Sequence, residues 1–481
     1  MVPRMVTAST LALLLTAAPR AVHAQEPAGL RDGLQLLDAW MTTTVAQRGQ
    51  PGLSIGVVVD DRLVWAKGYG YADLERKVPA SPQTLYRIAS ITKTFTAVAI
   101  LQLRDAGKLQ LDDPLRRHLA WARIRAHDPA ASDITIRELL THSSGFQREV
   151  PGTWWTNPTF PPPAALREEL KETYPPGITW KYSNLGFALL GEIVSAVSGE
   201  PWERYVQRHI LDPLGMASTR TMPRVDESGL AVGYARPVPG ERPVSAPTFE
   251  SLDAVSAAAS MASNIEDLAK YLAFHLSEGA SAGVVLKSAT LRAMHRPQWL
   301  LDDWQNAWGF GMRVRRVDGR VQVGHPGSVP GFRTQIEFVP ALRLGVIVLT
   351  NADDGNPASY VDYALQLLAP IAAKAIVRPV APLPATAASY VGRYRSQNGT
   401  TTMLVGMLDG RLSLVAPDAA NPYTTRVILE PTSDSRTFVM RSTGTFAYDA
   451  FGELLTFDVA PDGQVTGYHT PNLRFSRIAQ P

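Results

Sequence analysis

The feature that most constrains the fold is the position of the strand-like segments along the chain. Residues 52–59 and 63–71 form a pair near the N-terminus, and several more such segments lie between 308 and 350. In the long section between them, apolar residues recur at helical spacing and proline and glycine interrupt the segments. Helices are predicted at 30–45 and at 360–376. This order predicts an α+β fold, in which strands from both ends of a domain form one antiparallel sheet with terminal helices packed on it and a helical insertion in the middle.

The hydrophobic pattern changes after this domain. Residues 377–384 are rich in proline and are predicted to be a linker. Beyond them apolar and polar residues alternate, and Asp409-Gly410 lies between two alternating stretches, which is typical of a β-hairpin. Further Asn-Gly and Asp-Gly pairs repeat this signal. Residues 385–481 are therefore predicted to form a small all-β barrel domain.

The N-terminal residues have the pattern of a secretory signal. Arg4 precedes an apolar run over residues 11–15, and small residues end at Ala24. The sequence predicts a signal peptide over residues 1–24, which is too short to span a bilayer. It therefore predicts export to the periplasm or the extracellular space, no integral membrane segment after cleavage, and a first mature domain over residues 25–376.

Composition excludes several classes of chemistry. The 481 residues include no cysteine, which rules out thiol catalysis, disulfides and cysteine-rich zinc sites. The chain has 47 Lys and Arg against 44 Asp and Glu, and without Arg4 and Arg20 the balance is 45 against 44, or +1. No basic run is dense enough to predict a nucleic-acid partner.

Ser90 and Lys93 form a Ser-x-x-Lys motif at the start of a predicted helix. Residues three apart on a helix share a face, so the Lys93 amine is expected beside the Ser90 hydroxyl. A serine hydroxyl is a weak nucleophile until a base takes its proton, and such an amine can do so. The helix N-terminus adds backbone N–H groups where an oxyanion would form. Because short motifs also occur by chance, the meaning of this one depends on residues further along the chain.

Tyr182-Ser183-Asn184 stands immediately before another predicted helix. A lysine ammonium nearby would favour the ionised phenol, so Tyr182 could carry a proton to or from Ser90. The Asn184 amide could orient Lys93 and the substrate. The alternative is that Ser183 or Asn184 caps the helix.

His325-Pro326-Gly327-Ser328 lies on or beside a predicted strand. His325 is expected to point into the site, Gly327 to let the substrate approach the backbone, and the Ser328 N–H to be a second oxyanion donor. The alternative is an ordinary turn with a surface histidine. For Arg87 and the loop at His142 we favour a structural role.

Together these motifs resemble those of the serine β-lactamase and penicillin-binding-protein superfamily, most closely its class C β-lactamase-like esterases and D-amino-acid peptidases. In chain order they are Ser90-x-x-Lys93, Tyr182-x-Asn184 and His325-x-Gly327. The similarity spans roughly residues 30–375, including Leu-Thr-His-Ser-Ser-Gly at 140–145. The resemblance implies a β-lactamase-like fold with a helical subdomain, and a lipocalin-like barrel for residues 385–481.

The resemblance also implies an activity, that of a serine hydrolase acting through an acyl-serine intermediate on ester or amide (peptide) substrates. Ser90 would attack the carbonyl, and Lys93 and Tyr182 would manage the proton. Backbone N–H groups of Ser90 and Ser328 would hold the oxyanion, and the remaining motif residues would orient substrate or water. No metal or organic cofactor is implied.

Two departures from the family pattern bear on the substrate. β-Lactamases usually have lysine-threonine-glycine where this chain has His325-Pro326-Gly327, and histidine is mostly uncharged near neutral pH. This favours esters or peptides over β-lactams. Ala-Ala-Ser-Met at 258–261 replaces glycines that relatives often carry. The alternatives are a β-lactamase, or a penicillin-binding sensor that is acylated without turnover. The natural substrate and the oligomeric state stay open.

Overall fold

The chain forms two compact units, Met1–Ile376 and Val377–Pro481. The computed structural model describes residues 29–479 except 128–132, 158, 237–240, 278–284, 376–381, 418–420, 422–424 and 443–451. The predicted signal peptide and the first part of the predicted linker therefore lie outside the described residues.

The helices predicted at 30–45, after Ser90, after Asn184 and at 360–376 are present as α1, α2, α5 and α11, and several short helices were not predicted. In chain order the α-helices among the described residues of this unit are α1 (Leu30–Gln47), α2 (Thr92–Asp105), α3 (Leu115–His118), α4 (Ile136–Thr141), α5 (Asn184–Ser198), α6 (Trp202–Val206), α7 (Asp212–Leu214), α8 (Ser256–Ala259), α9 (Ile265–Leu276), α10 (Ser288–Met294) and α11 (Pro357–Ala375). No helix in the described part of the chain is long and apolar enough to cross a membrane.

Most strands of the first unit join in one large antiparallel sheet. In chain order the strands are β1 (Gly52–Val59), β2 (Arg62–Asp73), β3 (Val78–Pro79), β4 (Tyr86–Arg87), β5 (Arg123–Arg125), β6 (Glu169–Lys171), β7 (Tyr234–Ala235), β8 (Val244–Ser245), β9 (Ala262–Ser263), β10 (Trp299–Leu300), β11 (Asn306–Trp308), β12 (Arg313–Val317), β13 (Arg320–Val329), β14 (Phe332–Val339) and β15 (Leu344–Thr350). Among the described residues, nine strands join in the order β10-β11-β12-β13-β14-β15-β1-β2-β3. The pairing of β1 with β15 joins the two ends of the domain, as predicted.

The sheet is buried on both faces, which explains why β1 and β15 are almost continuously apolar. Alternate side chains such as Leu53 and Val346 pack with α1 and α11 on one face. Val58 and Ile347 belong to the other alternating set of side chains, and they pack in the helical core on the opposite face of the sheet. The predicted α+β architecture, an antiparallel sheet with terminal helices on one face and a helical insertion, is confirmed.

The second unit is a closed antiparallel barrel. The strands seen in its described residues are β16 (Gly392–Ser396), β17 (Thr402–Leu408), β18 (Arg411–Val415), β19 (Val427–Pro431), β20 (Thr437–Ser442), β21 (Leu454–Val459), β22 (Val465–His469) and β23 (Arg474–Ile478). The Asp409-Gly410 turn joins β17 to β18 as predicted, with Asp409 at φ 51°. Aromatic side chains fill the interior, among them Tyr390 stacked on Phe457 at 4.1 Å between ring centroids. The predicted barrel is confirmed.

Two local predictions were wrong. The pattern of residues 308–314 predicts one strand, but that strand is interrupted because the Gly311 N–H bonds to the Leu140 carbonyl (3.0 Å) instead of a neighbouring strand. Ser263-Asn264-Ile265-Glu266 has the pattern of a capping box that starts at Ser263, but the cap is one residue later: the Asn264 side chain accepts from the Asp267 N–H (2.9 Å) and begins α9.

We expect limited proteolysis to cut within residues 377–384 and to leave two stable fragments. The reason is that each unit has its own apolar core and the connecting segment is rich in proline. Gel analysis with mass spectrometry of the fragments measures this. One protected core that runs through the segment would contradict the prediction.

Candidate active site

The candidate nucleophile Ser90 lies in a tight turn that leads into α2. A short 3₁₀ turn covers Ala89–Ile91, and Ala89 has φ 51°, a left-handed conformation that is uncommon for a residue with a side chain. Strand β14 supports this turn, because the Thr334 hydroxyl donates to the Ile88 carbonyl (3.1 Å). Such strain persists when the surroundings fix it, and it is concentrated at functional sites.

Lys93 is fully buried one helical turn after Ser90. Its Nζ is 3.1 Å from Ser90 Oγ and 2.9 Å from the Ala258 carbonyl, which accepts a hydrogen bond from it. Burial lowers the pKa of the Lys93 amine well below its ordinary value, while the Glu149 charge acts in the opposite direction. An amine with a lowered pKa is neutral more of the time near neutral pH, as a proton acceptor must be.

Tyr182 lies on the other side of the same hydroxyl. Lys93 Nζ is 4.9 Å from the centroid of its ring, and the Ser90 side chain interacts electrostatically with its phenol. Burial raises the pKa of Tyr182, and the interaction with Ser90 offsets this in part. The sequence predicted that a nearby lysine ammonium would lower the pKa of the phenol; instead the pKa of Tyr182 is raised, because desolvation outweighs the opposing interactions. Tyr182 is poised to donate a proton.

Ser183 and Asn184 divide the capping and site roles between them. The Ser183 hydroxyl accepts from the Gly186 N–H (3.0 Å) and caps α5. The Asn184 Nδ2 donates to both carboxylate oxygens of Glu149, each at 2.9 Å, and not to Lys93 as the sequence suggested. Its Oδ1 is buried without a hydrogen-bond partner among the described residues. The Asn184 amide nitrogen is thus fixed by Glu149, and the amide oxygen is available as a hydrogen-bond acceptor.

His325 lies inside β13 and is completely buried. Its Nδ1–H donates to the Pro326 carbonyl (2.6 Å), and its ring packs near Tyr182 and Trp308 at 6.3 and 5.4 Å between centroids. Burial lowers the pKa of His325 to about 3, so the ring is uncharged at neutral pH. His325 therefore packs against Tyr182 and Trp308 but does not itself line the cavity described below.

Gly327 is required by close packing of the backbone. A Cβ atom there would overlap the Ile88 carbonyl oxygen and the Thr334 hydroxyl. The glycine therefore lets β13 lie directly against the turn before Ser90. Ser328 follows it and lines the cavity.

His142 supports Tyr182 from the end of α4. It is buried with φ 59°, its Nδ1 accepts from the Ser183 N–H (3.2 Å), and its ring centroid is 4.3 Å from that of Tyr182. Burial lowers the pKa of His142 well below its ordinary value. Arg87 lies elsewhere, stacked on Phe249 at 4.4 Å.

A cavity of about 640 Å³ opens in front of Ser90. The predicted site residues that line it are Ser90, Tyr182, Asn184, Gly327 and Ser328. The sequence did not single out Arg148, Trp155, Trp180, Trp308, Arg313, Arg333 and Asp353, which also line it. Trp180 could have been found, because it lies two residues before Tyr182 in an extended segment. No sequence signal marked the arginines, which come from separate loops and strands.

The site offers acid–base and nucleophilic groups together. The Ser90 hydroxyl lies 3.1 Å from an amine with a lowered pKa and interacts with a phenol whose pKa is raised. The described residues include no group of three or more His, Asp or Glu side chains placed to hold a metal ion.

Comparison with known proteins agrees with this geometry. The chain is 30% identical over 327 residues to protein flp of Staphylococcus aureus strain MRSA252, which covers 66% of this chain and 63% of that protein. It thus spans less than two thirds of that relative. An octameric penicillin-binding protein homologue from Pyrococcus abyssi superposes with a TM-score of 0.61 at 27% identity, covering 92% of this chain and 99% of the other.

A more distant neighbour shares the fold. D-amino acid amidase from Ochrobactrum anthropi SV3 has a TM-score of 0.60 at 23% identity, covering 70% of this chain and 99% of the other. The beta-lactamase family model matches residues 37–370, which is most of the first unit. With the turn at Ser90, the buried Lys93 and the phenol of Tyr182, this match shows that the chain belongs to the beta-lactamase family.

Proposed function

We propose that this chain is an exported serine hydrolase that acts on ester or amide (peptide) substrates through an acyl-serine intermediate. The observation that carries the proposal is the contact of Ser90 Oγ with the buried Lys93 amine, at 3.1 Å, at the mouth of the cavity. The predicted signal peptide supports export.

The residues suggest a simple path for the protons. Neutral Lys93 takes the proton of Ser90 as Oγ attacks the carbonyl carbon, and backbone N–H groups of Ser90 and Ser328 hold the oxyanion. When the tetrahedral intermediate collapses, Tyr182 donates a proton to the leaving group and regains one from Lys93. Water then attacks the acyl-enzyme, and the protons move between the same groups in the opposite direction as the acid is released.

Esters and peptides are favoured over β-lactams because of the third motif. His325 is buried and uncharged, and thus supplies no cation at the place where the resemblance leads one to expect lysine. This disfavours the β-lactamase alternative as the main activity.

A labelled fluorophosphonate and a labelled penicillin, followed by burst kinetics on short esters and D-amino-acid peptides, test the proposal. We expect labelling at Ser90 and steady turnover after the burst. A stoichiometric burst without turnover would support the sensor alternative, and fast turnover of penicillins alone would support the β-lactamase.

We expect Glu149→Gln to move the acid limb of the pH profile of kcat/KM to lower pH. The Glu149 charge raises the pKa of Lys93, so its removal lowers that pKa further and the neutral base persists in more acidic solution. Glutamine keeps an oxygen for the Asn184 amide. Glu169→Gln, which removes the same charge from an exposed residue, is the control. An acid limb that stays in place or moves to higher pH would show that Lys93 is not the base.

A further inference from the structure

The cavity needs a cation if it is to bind an anionic substrate, and β13 does not supply one. His325 is completely buried, and its Nδ1–H is used by the Pro326 carbonyl. Any positive charge available to a substrate must therefore come from another element.

Three arginines line the cavity, and each lies beside a carboxylate, but they differ in how exposed their side chains are. Arg313 is 3.0 Å from Glu337, whose side chain is completely buried. Arg333 is 2.9 Å from Asp353 and also donates to the Val329 carbonyl (2.9 Å). These two guanidinium groups are neutralised within the protein.

Arg148 is different, because its backbone is fixed while its side chain is accessible. Its carbonyl accepts from the Asn184 N–H (2.7 Å) at the start of α5, yet 63% of its side chain is exposed. Its guanidinium lies over the ring of Tyr182, 5.1 Å from the centroid, and lines the same cavity as Ser90.

The neighbouring carboxylate occupies one edge of this guanidinium. Arg148 Nε is 3.2 Å from Glu149 Oε1, but both oxygens of Glu149 already accept from the Asn184 amide. Across the residues that the structure describes, no acceptor completes a hydrogen bond with the two terminal nitrogens of Arg148. An arginine has five N–H donors, and the paired donors of its other edge match a carboxylate.

We propose that Arg148 binds an anionic group of the substrate, so that the preferred substrates are esters or amides that carry a carboxylate. The inference rests on the proposed function and adds the substrate class to it. The apolar part of such a substrate would pack on Trp155, Trp180 and Trp308, of which Trp180 and Trp308 are stacked at 5.4 Å between centroids.

The test uses two matched pairs of esters on the full chain. The first pair places the charge on the acyl group: para-nitrophenyl hydrogen glutarate and its methyl ester. The second places it on the leaving group: meta-butyryloxybenzoate and meta-butyryloxybenzamide. The readout is the ratio of kcat/KM for the charged and the neutral member, in which any effect of Arg148 on Lys93 cancels because both members use the same base.

We expect the wild-type chain to favour the charged member of at least one pair. Arg148→Gln should lower that ratio by roughly tenfold to a hundredfold, the usual size of a hydrogen bond to a charged group. The ratio for Arg148→Lys should lie between those of the wild type and Arg148→Gln, because lysine keeps the charge without the paired donors. Arg316→Gln, which removes the same charge from an exposed residue of β12 outside the cavity lining, should leave the ratio unchanged.

The outcomes separate this inference from the proposed function. If the esters are hydrolysed in a Ser90-dependent way but neither pair shows a preference, or Arg148→Gln leaves the ratio unchanged, the inference is overturned and the hydrolase remains. If hydrolysis survives Ser90→Ala, both are overturned.

Discussion

Replacing Ser90 by alanine is expected to abolish hydrolysis and covalent labelling while the fold remains intact. The change removes the hydroxyl that Lys93 contacts at 3.1 Å, and the sequence has no cysteine to take its place. Loss of the nucleophile in a serine hydrolase is typically on the order of 10⁴- to 10⁶-fold in kcat. Ester hydrolysis, fluorophosphonate labelling and thermal unfolding together measure the effect.

The expectation of an intact fold has a physical basis. Alanine keeps the Cβ atom in the turn before α2, and the turn is held by the hydrogen bond that the Thr334 hydroxyl donates to the Ile88 carbonyl. Ser245→Ala, at an exposed residue of β8, is the matched control and should behave as wild type. Turnover near the wild-type rate in Ser90→Ala would show that the assignment of the nucleophile is wrong.

Lys93→Ala and Tyr182→Phe should each slow acylation by roughly 10²- to 10⁴-fold, and the double variant should lose much less than the product of the two effects. Lys93 contacts the Ser90 hydroxyl and Tyr182 interacts with the same side chain, so the two would pass one proton along one path. Once either group is removed the path is broken, so removal of the second costs little. Pre-steady-state acylation of the wild type, both single variants and the double variant measures this.

Two features of the structure keep the result interpretable. Tyr182→Phe retains the ring that packs on His142 and under Arg148, so the variant isolates the hydroxyl. Lys93→Met fills the fully buried space that alanine would leave empty, and separates loss of the amine from loss of packing. A silent Tyr182→Phe would remove the phenol from the mechanism, and effects that multiply would assign two separate roles.

Much of the fold could be predicted because buried apolar residues recur in the sequence with the period of the helix or strand that contains them. The apolar runs that became β1 and β15 identified strands with both faces covered, and Asp409-Gly410 identified a hairpin through its backbone preference. The break before Arg313 was missed, since it depends on a hydrogen bond from Gly311 to the distant Leu140 carbonyl.

The sequence by itself determined the local chemistry of the site: Ser90 and Lys93 are one helical turn apart in any helix that begins there, and Tyr182 directly precedes a helix whose cap is its neighbour Ser183. The tertiary structure decided the electrostatics. Whether Lys93 is charged depends on its complete burial beside Ala258, and the charge available to a substrate depends on how exposed each of the three arginines remains beside its carboxylate. Desolvation and ion pairing arise from contacts between residues far apart in the chain, so no local pattern of residues encodes them.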